Sequence, residues 1–111
     1  MEKNASILVV DDDKEIADLV EIYLVNDGYQ VLKASDGEQC LQTLKEHPEV
    51  RMLILDIMMP ELDGFSTCRE IRKTKNIPVI MLSARGEEYD KIHGFELGID
   101  DYVVKPFSPK E

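Results

Sequence analysis

The sequence predicts an α/β domain built around a parallel sheet of five strands, and three observations support that prediction. Short apolar runs alternate along the chain with segments of helical periodicity, which is the pattern of parallel α/β folds. The length of 111 residues fits one domain. The hydrophobic share of 43% argues against disorder, although 32% of the residues are charged.

The first strand and the first helix have the strongest signals. Residues 7–10 form a continuous run of Ile, Leu and Val, as expected of a strand that is buried on both faces. Asp12 or Asp13 can cap the helix that follows, and Gly28 can end it. The helix is predicted to bury one apolar face, which consists of Ile16, Leu19, Val20, Tyr23 and Leu24.

A second strand, a second helix and a third strand come next. The second strand is predicted over residues 29–34. Ser35 has the capping-box spacing to Glu38 and is predicted to cap a helix that ends before Pro48. The third strand covers residues 50–55, and Asp56 follows it. The apolar face of the second helix consists of Cys40, Leu41 and Leu44.

The second half of the chain repeats the alternation. Pro60 and the pair Asp63-Gly64 mark a loop before a third helix. A fourth strand is predicted over residues 77–82, a fourth helix over about 86–97 and a fifth strand over 102–104. The predicted inner faces are Phe65, Cys68 and Ile71 in the third helix and Tyr89, Ile92 and Phe95 in the fourth.

The last four residues have the composition of a helix start. Ser108 can act as the cap, and Pro109 suits the first turn. We therefore expect one domain over residues 1–111 that is truncated at the start of a fifth helix.

The charge and the apolar pattern exclude several function classes. The formal net charge of −10 argues against nucleic acid bound by this domain itself, since phosphate binding needs a basic surface. No apolar stretch is long enough to cross a bilayer and the first residues resemble no signal peptide, so we expect a cytoplasmic protein without membrane contact. Cys40 and Cys68 are predicted to be small core residues rather than a disulfide.

Residues that can carry chemistry follow four of the predicted strands. The carboxyl ends of parallel strands meet at one edge of the sheet, where ligands bind. Clustered carboxylates attract a cation, and oxygen ligands in this position suit Mg²⁺. A carboxylate beside Mg²⁺ can also act as a nucleophile toward phosphorus, with a lysine offsetting charge. The residues are Asp11, Asp12 and Asp13 after the first strand, Asp56 after the third, Ser83 after the fourth and Lys105 after the fifth.

Five stretches in order resemble the receiver domains of response regulators, the CheY-like family. They are residues 7–12, 53–60, 63–64, 79–84 and 105–107. The resemblance covers nearly the whole chain and implies a doubly wound, flavodoxin-like parallel sheet with the strand order 2-1-3-4-5. It also implies that a sensor histidine kinase is the partner and that the chain is a phosphorylated switch.

The resemblance implies a role for each acidic residue of the site. Asp56 matches the phosphoacceptor. Asp12 matches a direct Mg²⁺ ligand, and Asp11 matches the acidic neighbour that acts through water. The backbone carbonyl of Met58 is the further metal contact that the family leads us to expect. Asp13 has no family role and is predicted to cap the first helix.

The resemblance also implies a switch on the other side of the phosphoacceptor. Ser83 and Ala84 match the positions that contact the phosphoryl group, together with Lys105. Tyr102 matches the aromatic residue that swings inward when the hydroxyl of Ser83 moves. The peptide bond between Lys105 and Pro106 is cis in this family, whereas the sequence by itself says only that it can be.

A narrower resemblance, to the OmpR/PhoB subfamily, comes from residues 84–88 and 98–111. It implies a C-terminal winged-helix DNA-binding domain and a homodimer that forms through the fourth helix, the fifth strand and the fifth helix. Exposed charges in this part can equally be a solvated helix face. The positions that form ion pairs between subunits there are Lys91, Asp100, Asp101 and Glu111.

Two other interpretations remain at this point. In a haloacid-dehalogenase-type phosphatase, Asp11 and Asp13 would be nucleophile and acid, but Glu15 stands where that motif has Thr or Val. A receiver-like binding module that is never phosphorylated usually lacks part of the acidic triad or the lysine, and all are present here. We expect no turnover of an exogenous substrate, so the chain is predicted not to be an enzyme.

Overall fold

The computed structural model describes residues 5–59, 62–83 and 88–105, and in these ranges strands and helices alternate along the chain. The strands are β1 (Ser6–Val10), β2 (Gln30–Ala34), β3 (Val50–Asp56), β4 (Val79–Ser83) and β5 (Asp101–Val104). The helices are α1 (Lys14–Asn26), α2 (Gly37–Glu46), α3 (Gly64–Arg72) and α4 (Glu88–Glu96).

All five strands are parallel and form one sheet in the order β2-β1-β3-β4-β5. The predicted fold class and strand order are therefore confirmed. Strand β1 lies between β2 and β3, and every residue of it is buried. A strand in this position has to be apolar along its length, which explains the unbroken run of Ile, Leu and Val.

The sheet separates two apolar clusters, because successive side chains of a strand point to opposite faces. Leu8 and Val10 of β1 lie in the larger cluster, together with residues of α2 and α3 such as Leu44 and Ile71. Ile7 and Val9 lie in the smaller cluster, which α1 covers through Ala17, Val20 and Leu24. None of the helices in the described ranges is both long enough and apolar enough to span a membrane.

The residue that caps α1 is one of those predicted, whereas the residue that caps α2 lies one position after the predicted one. The carboxylate of Asp13 accepts hydrogen bonds from the backbone N–H groups of Glu15 and Ile16, at 3.0 and 3.3 Å. The prediction that Ser35 caps α2 is wrong, because Asp36 accepts from the N–H of Gln39 at 2.8 Å. The N–H of Ser35 donates instead to the side-chain oxygen of Gln39.

Three residues that the helical periodicity places in the core are on the surface. Tyr23 is 64% exposed, while Ile92 and Phe95 are 52% and 50% exposed. Among the described side chains of α4, Asp90 and Gly94 are buried and four residues apart, and Gly94 lies against Ile99. The prediction for the side chain of Tyr89 falls outside the described residues.

The two cysteines are buried free thiols, as predicted. Burial raises the pKa of the Cys40 thiol to about 12, and the neighbouring Cys68 contributes in the same direction. Both side chains pack in the larger apolar cluster. They therefore serve as small core residues.

Gly64 is a point where α3 touches the backbone of β3. A Cβ atom on Gly64 would overlap the carbonyl oxygen of Asp56 and lie 2.8 Å from the Cα of Ile57. The N–H of Gly64 donates to the carbonyl of Ile57 at 2.9 Å, which fixes the contact. Backbone atoms on both sides leave little room for adjustment.

Replacing Gly64 with Ala should lower the free energy of unfolding by about 1–3 kcal/mol, because the new methyl group overpacks a backbone contact. Urea unfolding followed by circular dichroism measures the change. Gly28→Ala is the control: nothing lies within 4 Å of its Cβ position, and only the left-handed backbone at φ +96° opposes the change. That cost is about 1 kcal/mol. A smaller loss at Gly64 than at Gly28 would contradict the packing argument.

Candidate functional site

Three aspartates meet at the carboxyl edge of the sheet. Asp11 and Asp12 follow β1, and Asp56 is the last residue of β3. The neighbouring strands pair with Val10 beside Leu55, so the residue after each lies at the same edge. One carboxylate oxygen from each aspartate lies within 4.8 Å of the others. Asp11 and Asp56 are buried, whereas Asp12 is exposed.

Lys105 reaches the same cluster from the end of β5. Its ammonium nitrogen lies 3.1 Å from Oδ2 of Asp11 and 3.4 Å from Oδ1 of Asp56. The lysine side chain is only 12% exposed. Its backbone N–H donates to the carbonyl of Ser83 at 2.7 Å. Ser83 itself ends β4 and is fully buried.

The electrostatics of the cluster are set by the burial of like charges. Burial, followed by the negative charge of Asp11, raises the pKa of Asp56 from its usual 3.8 to about 7. The ammonium group of Lys105 opposes this rise. Burial lowers the pKa of Lys105, but the carboxylates of Asp56 and Asp11 more than offset it, so that this pKa is raised overall. The lysine therefore stays charged beside the two acids.

The donor set fits a divalent cation that prefers oxygen ligands. Oδ2 of Asp11 and Oδ1 of Asp56 are buried and share the single ammonium group of Lys105, at 3.1 and 3.4 Å. Two buried carboxylates beside one ammonium group leave negative charge that a further cation would offset. Every ligand atom of the cluster is a carboxylate oxygen, and oxygen atoms are the ligands that Mg²⁺ prefers.

Asp13 stands apart from this cluster and supports it. Its carboxylate caps α1, as described above, and its backbone N–H donates to Oδ1 of Asp11 at 2.9 Å. That bond holds one oxygen of Asp11 and leaves the other directed toward the cluster. Asp13 is thus a structural residue, in agreement with the prediction of a cap.

The other predicted residues lie away from the aspartates or outside the described ranges. Tyr102 is buried in β5 and packs in the larger apolar cluster. The side chain of Met58 is 57% exposed, in the segment after β3. The predictions for Ala84, for the peptide bond before Pro106 and for Glu111 fall outside the described residues.

The three described residues of the predicted dimer surface have different settings. Lys91 is half-buried on α4. The carboxylate of Asp100 accepts from the backbone N–H of Val79 at 2.8 Å, so it ties β5 to the start of β4. The carboxylate of Asp101 accepts from the N–H of Tyr102 at 2.8 Å and is exposed.

Sequence reasoning missed the part that Gly64 takes in the site. The sequence predicts that Gly64 belongs to a loop. In the structure its contact with the carbonyl of Asp56 places the end of β3 against α3. The only signal was a glycine directly after the helix cap Asp63, whose carboxylate accepts from the N–H of Ser66. That signal identifies a turn but says nothing about what the turn touches.

Comparison with known proteins agrees with this geometry. Residues 7–111 match the family model of the response regulator receiver domain. The chain is 54% identical over 106 residues to the probable transcriptional regulator ycf27 of Cyanophora paradoxa, with 95% of this chain and 44% of that protein covered. It is 47% identical over 110 residues to the alkaline phosphatase synthesis transcriptional regulatory protein PhoP of Bacillus subtilis, covering 97% of this chain and 45% of that protein.

Solved structures give the same result. The crystal structure of the BeF3-activated N-terminal receiver domain of Klebsiella pneumoniae RstA superposes with a TM-score of 0.86 and 28% sequence identity. The match covers 94% of this chain and 88% of that one.

The chain therefore belongs to the family of response regulator receiver domains. It is the receiver domain of a two-component response regulator, and its similarity extends to regulators of the OmpR/PhoB type. Receiver domains bind Mg²⁺ at an acidic pocket, and histidine kinases are their partners. The chain spans less than half the length of the curated relatives named above. Neither a dehalogenase-type phosphatase nor an unphosphorylated module finds support.

Replacing Asp56 with Asn should raise the free energy of unfolding at pH 7 in the presence of EDTA, by on the order of 1–3 kcal/mol. An acid whose pKa is raised on folding keeps a proton that the unfolded chain has lost, so its ionisation opposes folding. The gain should be small near pH 4 and should grow until about pH 7. Urea unfolding at several pH values measures it.

Asp63→Asn is the matched control for this measurement, because it removes one carboxylate at an exposed helix cap where Asn works as well as Asp. Its effect should not follow the same pH course. If the gain in the free energy of unfolding for Asp56→Asn shrinks between pH 4 and pH 7, the pKa of Asp56 is not raised on folding and the prediction is wrong.

Proposed function

We propose that Asp56 accepts a phosphoryl group from a phosphohistidine of a sensor histidine kinase and that this changes the output of a DNA-binding transcriptional regulator. The observation that supports this best is the position of Asp56 in the site. Its buried carboxylate faces Lys105 at 3.4 Å and lies within 4.8 Å of Asp11 and Asp12. One nucleophile, two further acids and one ammonium group are the set that phosphoryl transfer to a carboxylate needs.

In this proposal a carboxylate oxygen of Asp56 attacks phosphorus, and the bond from phosphorus to the histidine nitrogen breaks. The imidazole leaves with that electron pair and takes a proton. Lys105 offsets the charge on the transferring phosphoryl oxygens, because its ammonium group is already held beside Asp56.

We propose Asp11, Asp12, Asp56 and the backbone carbonyl of Met58 as the residues that hold Mg²⁺. When bound, the ion supplies positive charge to the phosphoryl oxygens and keeps Asp56 ionised at neutral pH. Two buried carboxylates that share one ammonium group, at 3.1 and 3.4 Å, support the participation of Asp11 and Asp56.

The switch is proposed to run from Ser83 and Lys105 to β5. Phosphorylation adds a charge of about −1.5 to −2 and new acceptor oxygens at Asp56. The hydroxyl of Ser83, the neighbouring Ala84 and the ammonium of Lys105 would gain contacts with them. Because the N–H of Lys105 is bonded to the carbonyl of Ser83, a shift of either strand end moves the other. Tyr102, three residues before Lys105, would relay that shift.

The output is proposed to lie outside the described residues. A C-terminal winged-helix domain would bind DNA, since a chain with a net charge of −10 is a poor ligand for phosphates. The chain itself would act on no exogenous substrate and would work in the cytoplasm. A homodimer is proposed to form on α4 and β5, with Lys91, Asp100, Asp101 and Glu111 in ion pairs.

The apolar surface of α4 and β5 supports the dimer. Ile92 and Phe95 are about half exposed, and Val104 is 45% exposed. Large apolar side chains that cluster on one face favour a protein interface. The face of α4 that turned out to be exposed is therefore the one that the proposed dimer would bury.

Replacing Asp56 with Asn should abolish labelling by acetyl phosphate in the presence of Mg²⁺, since an amide nitrogen or oxygen is no nucleophile for this transfer. Phosphate-affinity electrophoresis or intact-protein mass spectrometry measures the label. Asp13→Asn is the control, because Asn keeps the α1 cap and should leave labelling intact. Full labelling of the Asp56 variant would refute the phosphoacceptor assignment.

Replacing Phe95 with Asp should weaken dimerisation of the full-length regulator activated by beryllofluoride by about tenfold or more, because a charge would be buried in the interface. Sedimentation velocity measures the dimer constant. Ile22→Asp on α1 is the control, since Ile22 is 57% exposed on another helix. The proposal fails if both variants dimerise equally well.

A further inference from the structure

Arg72, the last residue of α3, joins two segments that lie apart in the sequence. Its guanidinium group donates from Nη1 to the carbonyl of Ile77 and from Nη2 to the carbonyl of Gly98, both at 2.8 Å. Ile77 lies two residues before β4, and Gly98 lies in the turn between α4 and β5. A planar guanidinium can bond two acceptors at once in a fixed geometry, so the side chain of Arg72 clamps this turn to the segment that enters β4.

The turn at Gly98 is shaped for this close approach. Gly98 has a left-handed backbone conformation, with φ +91°, and a Cβ atom there would lie 3.3 Å from Nε of Arg72. The N–H of Gly98 donates to the carbonyl of Phe95 at 3.0 Å. The clamp therefore acts on the last turn of α4, where the side chain of Phe95 is 50% exposed.

Asp100 holds the other end of the same turn. Its carboxylate accepts from the N–H of Val79 at 2.8 Å, and its own N–H donates to the carbonyl of Val79 at 2.7 Å. Ile99, the residue before it, is buried. The turn is thus fixed at Gly98 by Arg72 and at Asp100 by the first residue of β4.

These contacts lie at the amino ends of β4 and β5, whereas Asp56, Ser83 and Lys105 lie at the carboxyl edge of the sheet. Helix α4 and β5 are the two described elements of the proposed dimer surface, and the chain connects them directly through this turn. The conformation of the turn therefore sets where the exposed face of α4 stands relative to β5.

We propose that Arg72 is a positioning residue for the dimer surface, because it fixes the turn and so holds the end of α4 in place beside β5. The inference rests on the dimer proposed above. A surface that is held in place before binding does not have to be ordered during binding, and this favours association. Loss of the clamp should therefore weaken the dimer and leave the phosphoacceptor site unaffected.

The test compares Arg72→Gln with Arg69→Gln in the full-length regulator activated by beryllofluoride. Arg69 is exposed on the same helix, and in the described ranges its side chain forms no hydrogen bond or ion pair, so its replacement matches the change of charge. Sedimentation velocity should show a dimer about fivefold weaker or more for Arg72→Gln, because two hydrogen bonds from a charged donor are lost. Arg72→Lys keeps the charge without the planar fork and should fall between wild type and Arg72→Gln.

Hydrogen–deuterium exchange of the inactive regulator measures the turn without the dimer. A peptide that contains Gly98 and Asp100 should exchange about tenfold faster in Arg72→Gln, since the turn opens more often. Labelling of Asp56 by acetyl phosphate should be unchanged, because the clamp lies at the opposite edge of the sheet. Gly28→Ala controls for a general loss of stability, since it strains a left-handed backbone at the end of α1 and should leave the dimer constant unchanged.

Three outcomes would overturn the role of Arg72. The first is a wild-type dimer constant in Arg72→Gln. The second is an equal weakening in Arg69→Gln or Gly28→Ala, because the loss would then follow charge or stability rather than the clamp. The third is unchanged exchange in the turn. A wild-type regulator that stays monomeric with beryllofluoride would refute the proposed dimer itself and this role with it, so the two failures are distinguishable.

Discussion

The contact between Lys105 and the buried pair Asp11 and Asp56 is the interaction on which the rest of the site depends. Parallel pairing of β1 with β3 places two carboxylates side by side in a poorly solvated position. Burial, followed by the negative charge of Asp11, raises the pKa of Asp56, and a single ammonium group, from a residue 94 positions away from Asp11, holds the two acids together. Burying two carboxylates with one ammonium group costs free energy of folding, and that cost falls when a further positive charge binds beside them.

That cost is what makes the site responsive. A core filled with apolar side chains at this edge would be more stable, but it would not react to a change of charge. Here the carboxyl end of the sheet carries two buried acids that share one ammonium group, while the backbone of Lys105 is bonded to that of Ser83. A change in charge at Asp56 therefore acts on two strand ends at once. The strands concerned, β4 and β5, pair directly with each other.

The packing of α4 connects the site to the surface. A glycine at position 94 allows the helix to approach Ile99, and the buried Asp90 occupies the same face. Ile92 and Phe95 are left outside, and Val103 and Val104 of β5 are also exposed. Among the described side chains of α4, the inner face is therefore small and partly polar.

The sequence by itself determined the fold class and the four strand ends that carry the site, while the strand order came from the resemblance to receiver domains. The fold class and the strand ends rest on local signals, such as the apolar run before Asp11 and the residue that directly follows each strand. The periodicity of α1 and α4 was also read correctly as helical. Once the strand order is known, the position of Asp56 beside Asp11 follows from the parallel pairing.

Only the tertiary structure decided which residues face outward and where backbones meet. Tyr23 and Phe95 have helical spacing to core residues, yet each side chain is exposed. The face of each helix that contacts the sheet is narrower than the apolar face that the periodicity predicts. The sequence predicts a turn at Gly64, whereas the fold packs this glycine against the backbone carbonyl of Asp56. Which side chains are buried depends on the shape of the surface against which a helix packs. That surface is assembled from segments that are distant in the sequence, so the sequence of a single helix carries no signal for it.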